Sequence, residues 1–228
     1  FKVELVGNSI AREVAPCLGR ILASNNGRLR SIAINAASLC SLVPKVRAAV
    51  RKERPDVAIL FSFANEDEHC GQGQTWLTSA QAITKIWLSA HVHVYLAPYV
   101  PQPGQNDQVH IVVIHGKPYA AEAGPFQQLA AEAPDQVAML DPGLYLRAVG
   151  GRYQWRMPCI TAEPGCGADH TVVVRDPFDG LHFCAYMWWD GEPCKPTDAA
   201  GERRVASALA LELLLQLNIE HQRHAGIQ

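Results

Sequence analysis

From the N-terminus to Leu140 the chain alternates short apolar runs with longer stretches whose apolar residues recur every three or four positions. The runs predict strands over Lys2–Val6, Ser31–Ala36, Asp56–Ser62, His91–Ala97 and Gln136–Leu140. The periodic stretches predict helices between them. The first covers Ile10–Ala23, with Ile10, Val14, Cys17, Leu18, Ile21 and Leu22 on one stripe and Pro16 as a point of bending. The second covers Val43–Lys52 and stops before Pro55; the third covers Trp76–Ser89. A last helix over Ala199–Leu217 has the strongest pattern and is expected to pack on one face of the sheet. Strands joined by crossover helices make an α/β fold with a parallel sheet.

Two loops leave this core, Pro98–Gln108 with four prolines or glycines and Gly150–Asp169 with Cys159 and Cys166. No internal repeat or long linker divides the chain, so its 228 residues are read as a single domain. It opens on Phe1 rather than methionine and enters a strand at once, from which we expect a natural segment to precede it.

Composition narrows the class. Twenty basic and 22 acidic residues are mixed along the chain, with no basic stripe for a phosphate backbone, so nucleic acid is not an expected partner. The longest apolar segment, Val205–Leu217, is interrupted by Ser207, Glu212 and Gln216 and falls short of a bilayer span. The seven cysteines, at 17, 40, 70, 159, 166, 184 and 194, show no zinc-type spacing and point to disulfides in an oxidising compartment, with at least one thiol unpaired.

In an open parallel sheet, ligands bind outside the carboxyl ends of the strands. Ser9 follows the first strand, Ser38 and Leu39 the second and Asn65 the third, so three turns meet on one rim. Asp179-Gly180-Leu181-His182 lies after the apolar run Thr171–Val174 and is placed to fold back over that rim. A serine on a strand-to-helix turn, a histidine and a carboxylate form the set that activates a hydroxyl for acyl transfer.

These residues resemble the SGNH, or GDSL-type, hydrolases. Gly7-Asn8-Ser9 is similar to their Gly-Asp-Ser motif, Asn65 in Phe63-Ala64-Asn65-Glu66 to the asparagine of Gly-x-Asn-Asp, and Asp179-x-x-His182 matches their last motif. The resemblance implies a three-layer α/β/α fold around a flavodoxin-like five-stranded parallel sheet. It also implies that Ser9 attacks an ester carbonyl, that His182 takes and returns the proton, and that Asp179 orients the imidazole. Donors from Ser9 and Asn65, with the turn at Ser38 and Leu39, would hold the oxyanion. No cofactor or metal is implied.

The motifs depart from the family pattern: Asn8 replaces aspartate, Phe63 and Glu66 flank the asparagine, and neither Ser38 nor Leu39 is the glycine of the second motif. A module that binds a glycan or partner without turnover is therefore the alternative reading. An α/β-hydrolase fits less well, because its nucleophile follows several strands and its acid and histidine stand far apart.

Single residues also have plainer readings. Ser9 alone would be a helix cap, Asn65 a turn residue, and the Asp67–His69 stretch a solvated loop beside the rim. His91 and His93 share one face of a predicted strand and are read as packed or strand-end residues rather than metal ligands. Trp188 and Trp189 are equally packing or substrate-lining residues, and Arg175 is a candidate to bind an anionic group on a substrate but by default a surface or structural ion pair. The whole points to an extracytoplasmic serine esterase or O-acyltransferase acting on acylated hydroxyls of a cell-envelope glycan or similar ester. The resemblance extends to SGNH domains that follow a bacterial membrane acyltransferase domain, so such a domain in the same chain is an expected partner.

Overall fold

The structure is a computed structural model that describes residues 1–62, 70, 75–98, 100–104, 111–114, 117–120, 123–148, 151–177, 181–184, 195 and 199–224. In chain order the elements are β1 (Lys2–Gly7), α1 (Ser9–Ala23), β2 (Arg28–Ala33), α2 (Leu39–Lys52), β3 (Val57–Phe61), α3 (Trp76–Ser89), β4 (His93–Ala97), β5 (Ile111–Ile114), β6 (Lys117–Ala120), α4 (Ala123–Glu132), β7 (Val137–Met139), β8 (Arg156–Pro158), β9 (Thr171–Val173) and α5 (Ala200–His224). Five strands form one parallel sheet in the order β2-β1-β3-β4-β7. This is the expected three-layer α/β architecture with flavodoxin-like strand order.

Alternation along the central strands divides the core in two. Val3 and Leu5 of β1, Ile59 and Phe61 of β3 and Tyr95 of β4 pack with the stripes of α1 and α5. Val6, Ala58, Leu60, Val94 and Leu96 face the other way and pack with α2, α3 and α4. Because both faces are covered, these strands read in sequence as unbroken apolar runs.

One strand was misplaced by that logic. The run Ser31–Ala36 predicts the second strand, whereas β2 spans Arg28–Ala33. An edge strand is covered less completely, so Arg28 and Arg30 belong to it, while Ile34 is exposed beyond its end and Ala36 turns with φ +53°. The predicted start of the fourth strand is also corrected. His91 sits in the turn closing α3, with φ +55°, and the strand begins at His93, so the two histidines do not share a strand face. Among the described residues no cluster of potential metal ligands occurs.

Several elements escaped the sequence pattern. The antiparallel pair β5–β6 and helix α4 intervene before the last sheet strand. Within the loop read from Gly150 to Asp169 the chain enters β8, which pairs with β9. The Cys159–Cys166 disulfide closes the connection, and a buried ion pair between Arg204 and Glu163, 2.7 Å, ties it to α5. The helices α1 and α2 start earlier than their periodicity suggested, at Ser9 and Leu39, and α5 continues to His224.

The centre of β1 holds a carboxylate that the apolar run concealed. Glu4 is fully buried on the α2/α3 face; it accepts a hydrogen bond from Trp87 Nε1 at 2.8 Å and one from Arg30 Nε at 2.7 Å. A buried charge needs such partners, and removing one commonly costs about 3–5 kcal/mol. The pair pins edge strand β2 and helix α3 to β1.

Candidate active site

The site begins where β1 stops. A Cβ on Gly7 would overlap the carbonyl oxygen of Phe61 on the neighbouring strand and lie 2.6 Å from Ala11 Cβ, so only glycine lets the chain turn here against β3. Asn8 follows as the extended, fully buried N-cap of α1, and Ser9 is the helix's first residue. The sequence reading of Ser9 as a cap is thus displaced by one position. At the first turn of a helix, backbone N–H groups lack intrahelical acceptors and the macrodipole is positive, which favours developing negative charge.

His182 arrives from the far end of the chain. Its Nε2 lies 2.9 Å from Ser9 Oγ, across a separation of 173 residues, and both side chains are buried. That distance is within hydrogen-bond reach of a nucleophile and its general base. The His182 carbonyl accepts the Asp176 N–H at 2.8 Å, closing the segment into a loop. Asp179 of the same segment and Asn65 after β3 lie outside the described residues, as do the Asp67–His69 stretch and Trp188 and Trp189.

Ser38 and Leu39 stand at the start of α2, Ser38 as its buried, extended N-cap. Since α2 follows β2, the strand beside β1, they belong to the same rim as Ser9. A disulfide from Cys40 to Cys70 ties this turn to the chain beyond Asn65. Cys184 is also disulfide-bonded, whereas Cys17 is free and buried.

Arg175, read from sequence as a surface or structural ion pair, is an interior residue. It is 1% exposed and donates to the carbonyls of Leu181 at 2.6 Å, Val100 at 2.8 Å and Pro101 at 3.0 Å. Its guanidinium lies 4.2 Å from the centroid of the Phe183 ring, which stacks in turn on Phe61. The cation therefore holds the residues on both sides of His182 against the chain that follows β4. Sequence spacing carried no signal for these bonds, because a main-chain carbonyl can belong to any residue type.

Helix α5 meets the same segment. A Cβ on Gly201 would overlap the carbonyl of Val174 and come within 2.6 Å of that of Phe183. The next residue, Glu202, is buried beside Glu13 of α1; burial, and then the Glu13 charge, push its carboxyl up to about 8. Burial, reinforced by Glu202, likewise raises the Cys17 thiol, which makes it a poor nucleophile.

Comparison with solved structures places this architecture. The chain is similar to the C-terminal catalytic domain of peptidoglycan O-acetyltransferase A (OatA) of Streptococcus pneumoniae, solved with a methylsulfonyl adduct, at TM-score 0.54 and 14% identity over 95% of this chain and 94% of that one. It is similar to the esterase EstA of Pseudoalteromonas sp., solved with monoethylphosphonate, at TM-score 0.51 and 11% identity over 93% and 98%. A GDSL-like lipase from Bacteroides thetaiotaomicron aligns at TM-score 0.50 and 10% identity over 95% and 88%. The fold is that of the GDSL/SGNH hydrolases. No family model and no curated protein matches the sequence.

Proposed function

We propose that this chain is an SGNH-type serine ester hydrolase or O-acyltransferase that acts on acyl esters of hydroxyl groups. The observation that carries the reading is the buried 2.9 Å approach of Ser9 Oγ to His182 Nε2. In this mechanism Nε2 accepts the Ser9 proton as Oγ adds to the ester carbonyl, and the oxyanion forms against rim donors from Ser9 and Asn65, with the Ser38–Leu39 turn beside them. The protonated imidazole, oriented by Asp179, then gives its proton to the departing alcohol oxygen. Water, or an acceptor hydroxyl, attacks the acyl-serine with His182 as base, and the acyl group leaves as acid or new ester.

An acylated cell-envelope glycan is the proposed substrate class, and the outer side of the membrane the proposed place. Both are supported by the disulfides, which suit an oxidising compartment, and by the fold likeness to a domain of peptidoglycan O-acetyltransferase. No helix among the described residues is long and apolar enough to cross a membrane. A membrane acyltransferase domain in the same chain would supply the acyl group in the transfer version of this reading.

Turnover of a short-chain aryl ester tests the proposal. Ser9→Ala and His182→Ala are each expected to lower kcat by at least about 10³-fold, and Asn65→Ala to lower kcat by about 10²–10³-fold with a smaller effect on KM. Full turnover by the Ser9→Ala protein would refute the assignment.

A further inference from the structure

Glu13 lies four residues after Ser9 on α1, hence one turn along and on the same side of the helix. Its Oε2 accepts the backbone N–H of Phe183, the residue after His182, at 3.0 Å. The rest of Phe183 is equally confined: its ring is fully buried between Phe61 and Arg175, and its carbonyl packs against Gly201.

We propose that Glu13 is a positioning residue, whose carboxylate fastens the His182 segment to the helix that carries Ser9 and so sets the distance between nucleophile and base. This rests on the reading of Ser9 and His182 as a reacting pair. The nucleophile and its base come from opposite ends of the chain, and the imidazole can reach Ser9 only if its backbone is fixed relative to α1. Arg175 secures that backbone to the chain that follows β4. Glu13 secures it to α1 itself, so any drift of the segment moves Ser9 and His182 together. A carboxylate suits the task because a charged acceptor holds a backbone N–H about twice as strongly as a neutral one. The substrate need not touch Glu13.

The test uses three variants of the whole chain with two readouts, kinetics on a short-chain aryl ester and amide hydrogen exchange across residues 181–184. Glu13→Ala leaves the Phe183 N–H without this acceptor and is expected to lower kcat about 10- to 100-fold, with KM nearly unchanged and faster exchange at Phe183. Glu13→Gln keeps an acceptor oxygen and is expected to recover kcat to within about fivefold of the parent, with the amide protected. Glu13→Asp, one methylene shorter, is expected to fall between them and carries the test if the alanine variant does not fold. Parent-like kcat and protection in both Glu13→Ala and Glu13→Asp would overturn the proposal, as would losses in Glu13→Gln equal to those in Glu13→Ala. If the parent turns over no ester, the enzymatic reading fails, and exchange at Phe183 alone still decides whether Glu13 holds the segment.

Discussion

Ser9 and His182 could be singled out in the sequence by type and order, and the structure brings the two together, whereas the close backbone approach that demands glycine at Gly7 emerges only from the fold. Gly7→Ala is expected to destabilise the fold by about 1–3 kcal/mol, measured by urea unfolding, because the added methyl meets the Phe61 carbonyl rather than a yielding side chain. Ala36, two residues before Ser38, presents the opposite case, since it occupies the left-handed region that glycine accepts freely. Ala36→Gly is expected to leave the fold intact and to raise its stability by up to about 1 kcal/mol; a loss of stability would show that the turn gains more from the methyl than it spends in strain. Glu4 and Arg175 were not legible at this scale. Each is a charge with partners far off in the chain, Trp87 and Arg30 for Glu4 and the Val100 and Pro101 carbonyls for Arg175, and local pattern holds no record of such pairings.

At the scale of elements, the alternation of runs and periodic stretches located the central strands and α3 well, because burial on both faces imposes an unbroken apolar run. It failed at the edge, where β2 carries arginines, and it missed β5, β6, β8 and β9, short pieces outside the main sheet. The seam between α1 and α5 was also hidden, although both of its helices touch the Phe183 backbone beside His182. Glu202 in that seam faces Glu13 and Cys17 of α1, with Arg20 and Arg203 as the nearby cations. Its folded-state proton is lost only at about 8, well above the usual carboxyl value of 4.5. The native state therefore binds more protons than the unfolded chain across this interval, so stability due to Glu202 is full below it and falls as pH rises through it. Glu202→Gln should lack this dependence: its stability relative to the parent is expected to grow from pH 4.5 to about 8 and then level off, as denaturant titrations would show. A difference that is constant with pH would contradict this assignment. At the neighbouring position, Gly201→Ala is expected to push against the Val174 and Phe183 carbonyls and so to lower stability by about 1–3 kcal/mol and kcat with it, checked by urea unfolding and ester turnover; parent-like values of both would contradict this.

For the molecule as a whole, covalent ties add to the packing: Cys40–Cys70 links the start of α2 to the chain between β3 and α3, Cys159–Cys166 closes the β8–β9 connection held to α5, and Cys184 beside His182 is also disulfide-bonded. Maleimide labelling under denaturing, non-reducing conditions should modify Cys17 and spare Cys40, Cys70, Cys159, Cys166 and Cys184. Labelling of all seven would contradict the oxidised state. The cysteine count foretold disulfides, but their pairing depends on which loops the fold brings together and was not accessible from spacing. The central claim is that the fold brings the two ends of the chain together to make Ser9 a nucleophile, with His182 as its base. Its most direct test is reaction of the folded protein with a fluorophosphonate, followed by peptide mass mapping. One adduct on Ser9, abolished in Ser9→Ala and strongly slowed in His182→Ala, is the outcome this account predicts; an unlabelled Ser9 in folded protein, or labelling unaffected by His182→Ala, would contradict it.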